Sequence, residues 1–77
     1  MALDIKRVGA DSIQVENATG HWLLFTLDDL RSHSALLRAD MIEGSPPLPE
    51  REAELFVWAA FAAARGYAAE HGLIASP

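Results

Sequence analysis

Cysteine is absent from this sequence of 77 residues, and its absence excludes two common ways of stabilising a small domain. Without cysteine the chain forms no disulfide and offers no thiolate ligand to a metal ion. A domain of this length buries only roughly 60 to 65% of the surface that its unfolded chain exposes, and it commonly gains the missing core by oligomerising. We therefore expect one small domain, residues 1–77, that forms a homodimer.

Basic residues are also scarce, with six Lys and Arg against eleven Asp and Glu and a net charge of −5. Affinity for nucleic acid comes largely from clustered Lys and Arg, so the composition argues against a nucleic-acid partner. Acidic residues are concentrated between positions 40 and 54. They predict either a solvated face or a surface that binds another protein, and the candidate residues for that surface are Asp40, Glu43, Glu50, Glu52, Glu54 and Trp22.

Long apolar segments are missing as well. No stretch approaches the ~18 apolar residues of a transmembrane helix, and the first residues lack the apolar run of a signal peptide. The sequence therefore predicts a cytoplasmic protein that does not associate with a membrane.

Motifs for catalysis or cofactor binding are not evident. The chain has no glycine-rich phosphate loop and no nucleophile elbow, and His21, His33 and His71 are not in metal-ligand spacing. The neighbouring carboxylates Asp28 and Asp29 are better explained as partners of a helix dipole. We expect a protein that is not an enzyme, with no catalytic, cofactor-binding or metal-binding residues and no cofactor.

The first third of the chain is typical of β structure. Alternating apolar residues and turn residues predict strands over about 3–8, 12–17 and 21–26, joined as an antiparallel meander. The third strand is apolar on both faces, with Trp22 and Leu24 on one and Leu23 and Phe25 on the other. It is therefore expected to be a central strand covered on both sides, or to use one face as a contact surface.

A helix over about 27–42 is predicted to follow. Thr26 and Asp29 have the spacing of a capping box, and Phe25 and Leu30 have that of a hydrophobic staple. Leu27, Leu30 and later apolar residues recur at helical spacing. A Pro-rich linker at 44–49 then separates this helix from the next.

The second predicted helix spans about 49–71, between Pro49 and Gly72. Ten consecutive residues within it, 55–64, are apolar, which predicts a helix buried nearly all round. The sheet and the first helix of one chain are too small to cover every side of this helix, so a second copy is expected to complete the core. The alternative is an alanine-rich core helix of a monomer. The candidate residues for the dimer interface are Leu55, Trp58, Ala59, Ala62, Gly66 and Ala69.

These features predict an α+β fold, a three-stranded antiparallel meander followed by two helices, the second long and apolar. The function that they favour is that of a small, non-enzymatic protein-protein interaction protein, a regulator or inhibitor, that binds itself and an unidentified protein partner. Three alternatives stay open. They are an acidic inhibitor of nucleic-acid-handling machinery of the kind found on mobile elements, a weak nucleic-acid-binding regulator, and an enzyme whose site lies between subunits.

Overall fold

A computed structural model describes residues 2–32 and 41–75. It confirms the predicted α+β architecture of a three-stranded antiparallel sheet followed by a short helix and a long helix. The elements are β1 (Leu3–Val8), β2 (Ser12–Asn17), β3 (Trp22–Thr26), α1 (Leu27–Arg31) and α2 (Glu50–Glu70).

The sheet has the order β1-β2-β3, with Ile5 opposite Val15 and Val15 opposite Leu23. Side chains alternate between the two faces of a strand, so these three residues share the inner face, which α2 covers. On the outer face Leu24 is 40% exposed. Of the two alternatives for the third strand, that of a central strand covered on both faces is therefore wrong, because β2 is central; the use of one face as a contact surface stays a prediction.

Helix α1 begins as predicted and is shorter than predicted. Thr26 Oγ1 accepts from the backbone N–H of Asp29 (3.1 Å), and Asp29 Oδ2 accepts from the backbone N–H of Thr26 (2.9 Å), which completes the capping box. The helix ends at Arg31, and Ser32 has extended dihedral angles. Serine favours helix ends because its hydroxyl competes for backbone hydrogen bonds. The remainder of the predicted helix falls mainly on 33–40, outside the described residues.

His21 connects the turn before β3 to the Pro-rich segment. The residue is 4% exposed, its ring Nε2 donates to the carbonyl oxygen of Pro46, and its Nδ1 lies 2.7 Å from Thr19 Oγ1. Next to it, Trp22 and Glu43 exchange two backbone hydrogen bonds of 2.8 and 2.9 Å. The segment around 43–46 is therefore fastened to the start of β3.

Helix α2 is close to its predicted bounds, with Pro49 as the N-cap residue and Glu50 as the first helical residue. At the other end Gly72 has a φ of 71°. The backbone N–H of Gly72 donates to the carbonyl oxygen of Ala69 (3.1 Å), and that of Leu73 donates to the carbonyl oxygen of Ala68 (2.8 Å). This is the Schellman pattern, in which a glycine with positive φ satisfies the last carbonyl groups of a helix.

Candidate functional site

Within the single chain helix α2 buries one side only, so the predicted burial on nearly all sides would need a second copy and stays a prediction. The buried residues recur at helical spacing and pack with the inner face of the sheet; they are Ala53, Phe56, Val57, Ala60, Phe61, Ala64 and Ala68. Among them Phe61 meets Phe25 edge to face, with 5.8 Å between ring centroids. The opposite side of the helix faces outward.

We define the outer face of α2 by the residues that the 3.6-residue period places opposite the buried side. They include the six candidate interface residues, Leu55, Trp58, Ala59, Ala62, Gly66 and Ala69, and the exposed Arg51; of these, Ala69 is half-buried and packs against the core. Trp58 is 64% exposed and Leu55 is 57% exposed. The structure thus places Leu55, Trp58, Ala59, Ala62 and Gly66 on one surface, although it holds no second copy of the chain.

Side-chain size is unevenly distributed along the outer face. The two large side chains, Leu55 and Trp58, lie in the first half of the helix, and Ala62, Gly66 and Ala69 lie in the second half. A Cβ atom added at Gly66 would have no neighbour within 4 Å. One half of the face therefore carries large side chains and the other half carries small ones.

Charged residues border this face on two edges. The helical period places Glu54 and Arg65 along one edge and Glu52 and Glu70 along the other. The guanidinium carbon of Arg65 lies 5.8 Å from the centroid of the Phe61 ring. The first edge therefore carries both signs of charge, and the second carries only acidic groups.

A shallow cavity of about 180 Å³ lies beside the first turns of α2. Asn17 at the end of β2 and Thr19 in the turn after it line the cavity together with Leu48, Glu52, Leu55 and Phe56. Leu55 therefore belongs both to the outer face and to the rim of this cavity. The sequence analysis missed this feature because the turn and the helix are far apart in the chain.

The candidate acidic residues do not converge on a single surface. Glu50 and Glu54 are one helical turn apart and exposed, Glu52 projects from another side toward the cavity, and Glu43 is exposed beside Trp22. Asp40 lies outside the described residues. Trp22 is half-buried on the outer face of the sheet, where it is opposite Glu16.

Other kinds of site were sought among residues 2–32 and 41–75. This part of the chain has no group of three or more His, Cys, Asp or Glu side chains that could hold a metal ion. Its helices also include none that is long and apolar enough to cross a membrane. His33 falls outside the described residues, and His71 stacks on Tyr67 with 4.1 Å between ring centroids.

Comparison of this chain with known proteins finds no family model, no curated protein and no solved structure that matches it. The function is therefore argued from the outer face of α2 itself.

Proposed function

We propose that this chain is a small, non-enzymatic protein-protein interaction protein that forms a homodimer through the outer face of α2. The observation that carries the proposal is the exposure of Leu55 and Trp58, at 57% and 64%, on one helix face with four Ala and Gly residues. An exposed apolar patch of this kind marks a contact site more often than a bare surface. The long, apolar second helix is thus the element that serves binding.

The energy available at this face is large for a domain of this size. Burying an apolar side chain contributes about 1.5 to 3 kcal/mol, and tryptophan is enriched among the residues that dominate binding energy at interfaces. The Ala and Gly residues add little area, but they allow another backbone to come close. Trp58 and Leu55 are therefore the expected anchors of the contact.

The role as a regulator or inhibitor is a further part of this proposal. The homodimer leaves Glu43 and Glu50 exposed to a partner, because neither residue belongs to the outer face. Among the described residues, no arrangement of side chains supports any of the three alternative functions.

The decisive experiment measures the mass in solution by light scattering over a range of protein concentrations. We expect a dimer, and we expect Ala62→Glu to dissociate it because the substitution places a charge in the middle of the outer face. Ala10→Glu is the matched control, since Ala10 is also exposed and lies in the turn after β1, away from α2. It should stay dimeric.

A folded monomer at all accessible concentrations would contradict the homodimer. If Ala62→Glu and Ala10→Glu dissociated the dimer equally, the result would show that the dimer contact lies on a different surface. Circular dichroism of each variant separates loss of dimerisation from loss of folding.

A further inference from the structure

We infer that His21 takes up a proton inside the folded chain, and that the Thr19 hydroxyl reverses its hydrogen bond when it does so. The contact between the turn before β3 and the Pro-rich segment is then kept whether the imidazole is neutral or charged. The inference is independent of the proposed homodimer, because every bond that it uses lies within one chain.

The first argument is the direction of the bond to Pro46. A carbonyl oxygen only accepts, so His21 Nε2 must carry a hydrogen in order to bond to it. A neutral imidazole carries a hydrogen on only one of its two nitrogens. In the neutral ring Nδ1 is therefore an acceptor, and it needs a donor.

The second argument is that the Thr19 hydroxyl can fill either role. Its Oγ1 lies 2.7 Å from His21 Nδ1 and 2.8 Å from Asn17 Oδ1. A hydroxyl has one hydrogen and can also accept, so it donates to one of these two atoms at a time. It donates to Nδ1 of the neutral ring. When Nδ1 is protonated it accepts from Nδ1 and turns its hydrogen to Asn17 Oδ1.

Asn17 keeps its hydrogen bonds in both states. Its Oδ1 also accepts from the backbone N–H of Thr19 (3.0 Å) and from that of His21 (2.9 Å). Neither bond depends on where the hydroxyl hydrogen lies. One rotation of the Thr19 hydroxyl therefore gives both ring nitrogens a partner in either protonation state.

The burial of His21 gives this rotation its consequence. The residue is 4% exposed, and a buried charge is costly unless it is hydrogen-bonded. Buried neutral histidines that must become charged contribute to acid denaturation for that reason. Here each N–H of the charged ring has an oxygen acceptor, on Pro46 and on Thr19. We therefore expect the ring to become charged without unfolding the chain.

Ionisable side chains near His21 are mostly acidic, and none of them bonds to it. Glu16 is opposite Trp22 in the sheet, Glu43 is joined to Trp22 through the backbone, and Glu52 lines the same cavity as Thr19. Arg51 is in the same helical turn as Glu52 and does not line the cavity. Within the part of the chain that the structure describes, none of these four groups forms a hydrogen bond or ion pair with the imidazole. The response to the proton therefore depends on the Thr19 hydroxyl.

The substitution Thr19→Val tests the hydroxyl. Valine keeps the branched shape of threonine and places a methyl group where the hydroxyl was, so Nδ1 of the charged ring loses its acceptor. Hydrogen bonds to charged groups contribute more than those between neutral groups. We expect the variant to have a lower ratio of folded to unfolded chain than the unmodified protein at about pH 8, and roughly tenfold lower still at about pH 5, since histidine changes its charge in this range.

Urea denaturation at the two pH values, with all chains at one concentration, measures these ratios. His33 and His71 are present in every chain, so their own titration cancels in the comparison. Thr19→Ser is the matched control, because it keeps the hydroxyl, and it should show no further loss at the lower pH. Thr26→Val is a second control, since its hydroxyl bonds to a backbone N–H, and its effect should be the same at both pH values.

NMR of the unmodified chain with isotope-labelled histidine follows the ring itself. We expect the hydrogen of neutral His21 on Nε2, and a second hydrogen on Nδ1 as the pH falls, while the amide signals of the folded chain persist. A ring that stays neutral until the chain unfolds would overturn proton uptake inside the fold. An equal loss for Thr19→Val at the two pH values, or the same further loss for Thr19→Ser, would overturn the role of the hydroxyl.

Discussion

The imidazole of His21 donates a hydrogen bond from Nε2 to the carbonyl oxygen of Pro46, 25 residues further along the chain. The Cβ that an alanine would add at Gly44 would lie 2.9 Å from the same ring. The start of β3 and the segment before α2 are therefore packed so closely that glycine is required between them.

The first prediction concerns Gly44→Ala. We expect a loss of about 1 to 3 kcal/mol in the free energy of unfolding, because Gly44 has a φ of 128° and the new methyl group would meet the His21 ring. Urea denaturation of the variant and of the unmodified chain measures the difference.

The control is the same substitution at Gly66, which lies within α2 and has open space beside it. Gly66→Ala should raise the free energy of unfolding by roughly 0.5 to 1 kcal/mol, since alanine has the higher helix propensity. This comparison is made at a concentration low enough for the monomer. Equal effects of the two substitutions would contradict the close packing at Gly44.

A second prediction concerns the capping box at the start of α1. Thr26→Ala removes the acceptor of the Asp29 backbone N–H and should cost about 1 kcal/mol of stability. Asp28→Ala is the matched control, because it removes an exposed ion pair with Arg31 (2.8 Å) on the same short helix and exposed pairs contribute little. Chemical denaturation should give a clearly lower free energy of unfolding for Thr26→Ala than for Asp28→Ala. The reverse order would show that the cap is dispensable.

The elements that sequence reasoning predicted well depend on local signals. The three strands, the Thr26 cap and the glycine at the end of α2 are each specified by residues within a few positions of one another. The length of α1 was overestimated, because apolar residues continue at helical spacing in the sequence beyond Ser32, whereas the helix ends at Arg31 and Ser32 itself has extended dihedral angles.

Features that depend on distant residues were not predictable. Nothing near His21 in sequence indicates its bond to Pro46. The apolar run in α2 also did not indicate which side of the helix is buried, because apolar residues occupy all sides of it. The candidate interface residues nevertheless lie on one stripe, and the packing of Phe56, Ala60 and Ala64 in the core leaves that stripe outside except at Ala69, which is half-buried.

A third prediction uses Trp58 as a reporter of the homodimer. In a Trp22→Phe background all tryptophan fluorescence comes from Trp58, which is 64% exposed in the single chain. Its emission maximum should shift to shorter wavelength as protein concentration rises, because dimerisation removes the indole from water. Adding Ala62→Glu to this background should abolish the shift. Emission that is independent of concentration while the mass doubles would exclude Trp58 from the contact.

The alanines on the buried side of α2 limit how this chain can vary. Ala60, Ala64 and Ala68 are fully buried, and they hold the helix backbone close to the sheet. A larger side chain at any of them would overpack the core, at a cost of typically 1 to 3 kcal/mol. In a saturation mutagenesis experiment these positions should accept only the smallest residues. The tolerance to substitution should therefore rise and fall with a period of four residues along the second half of α2.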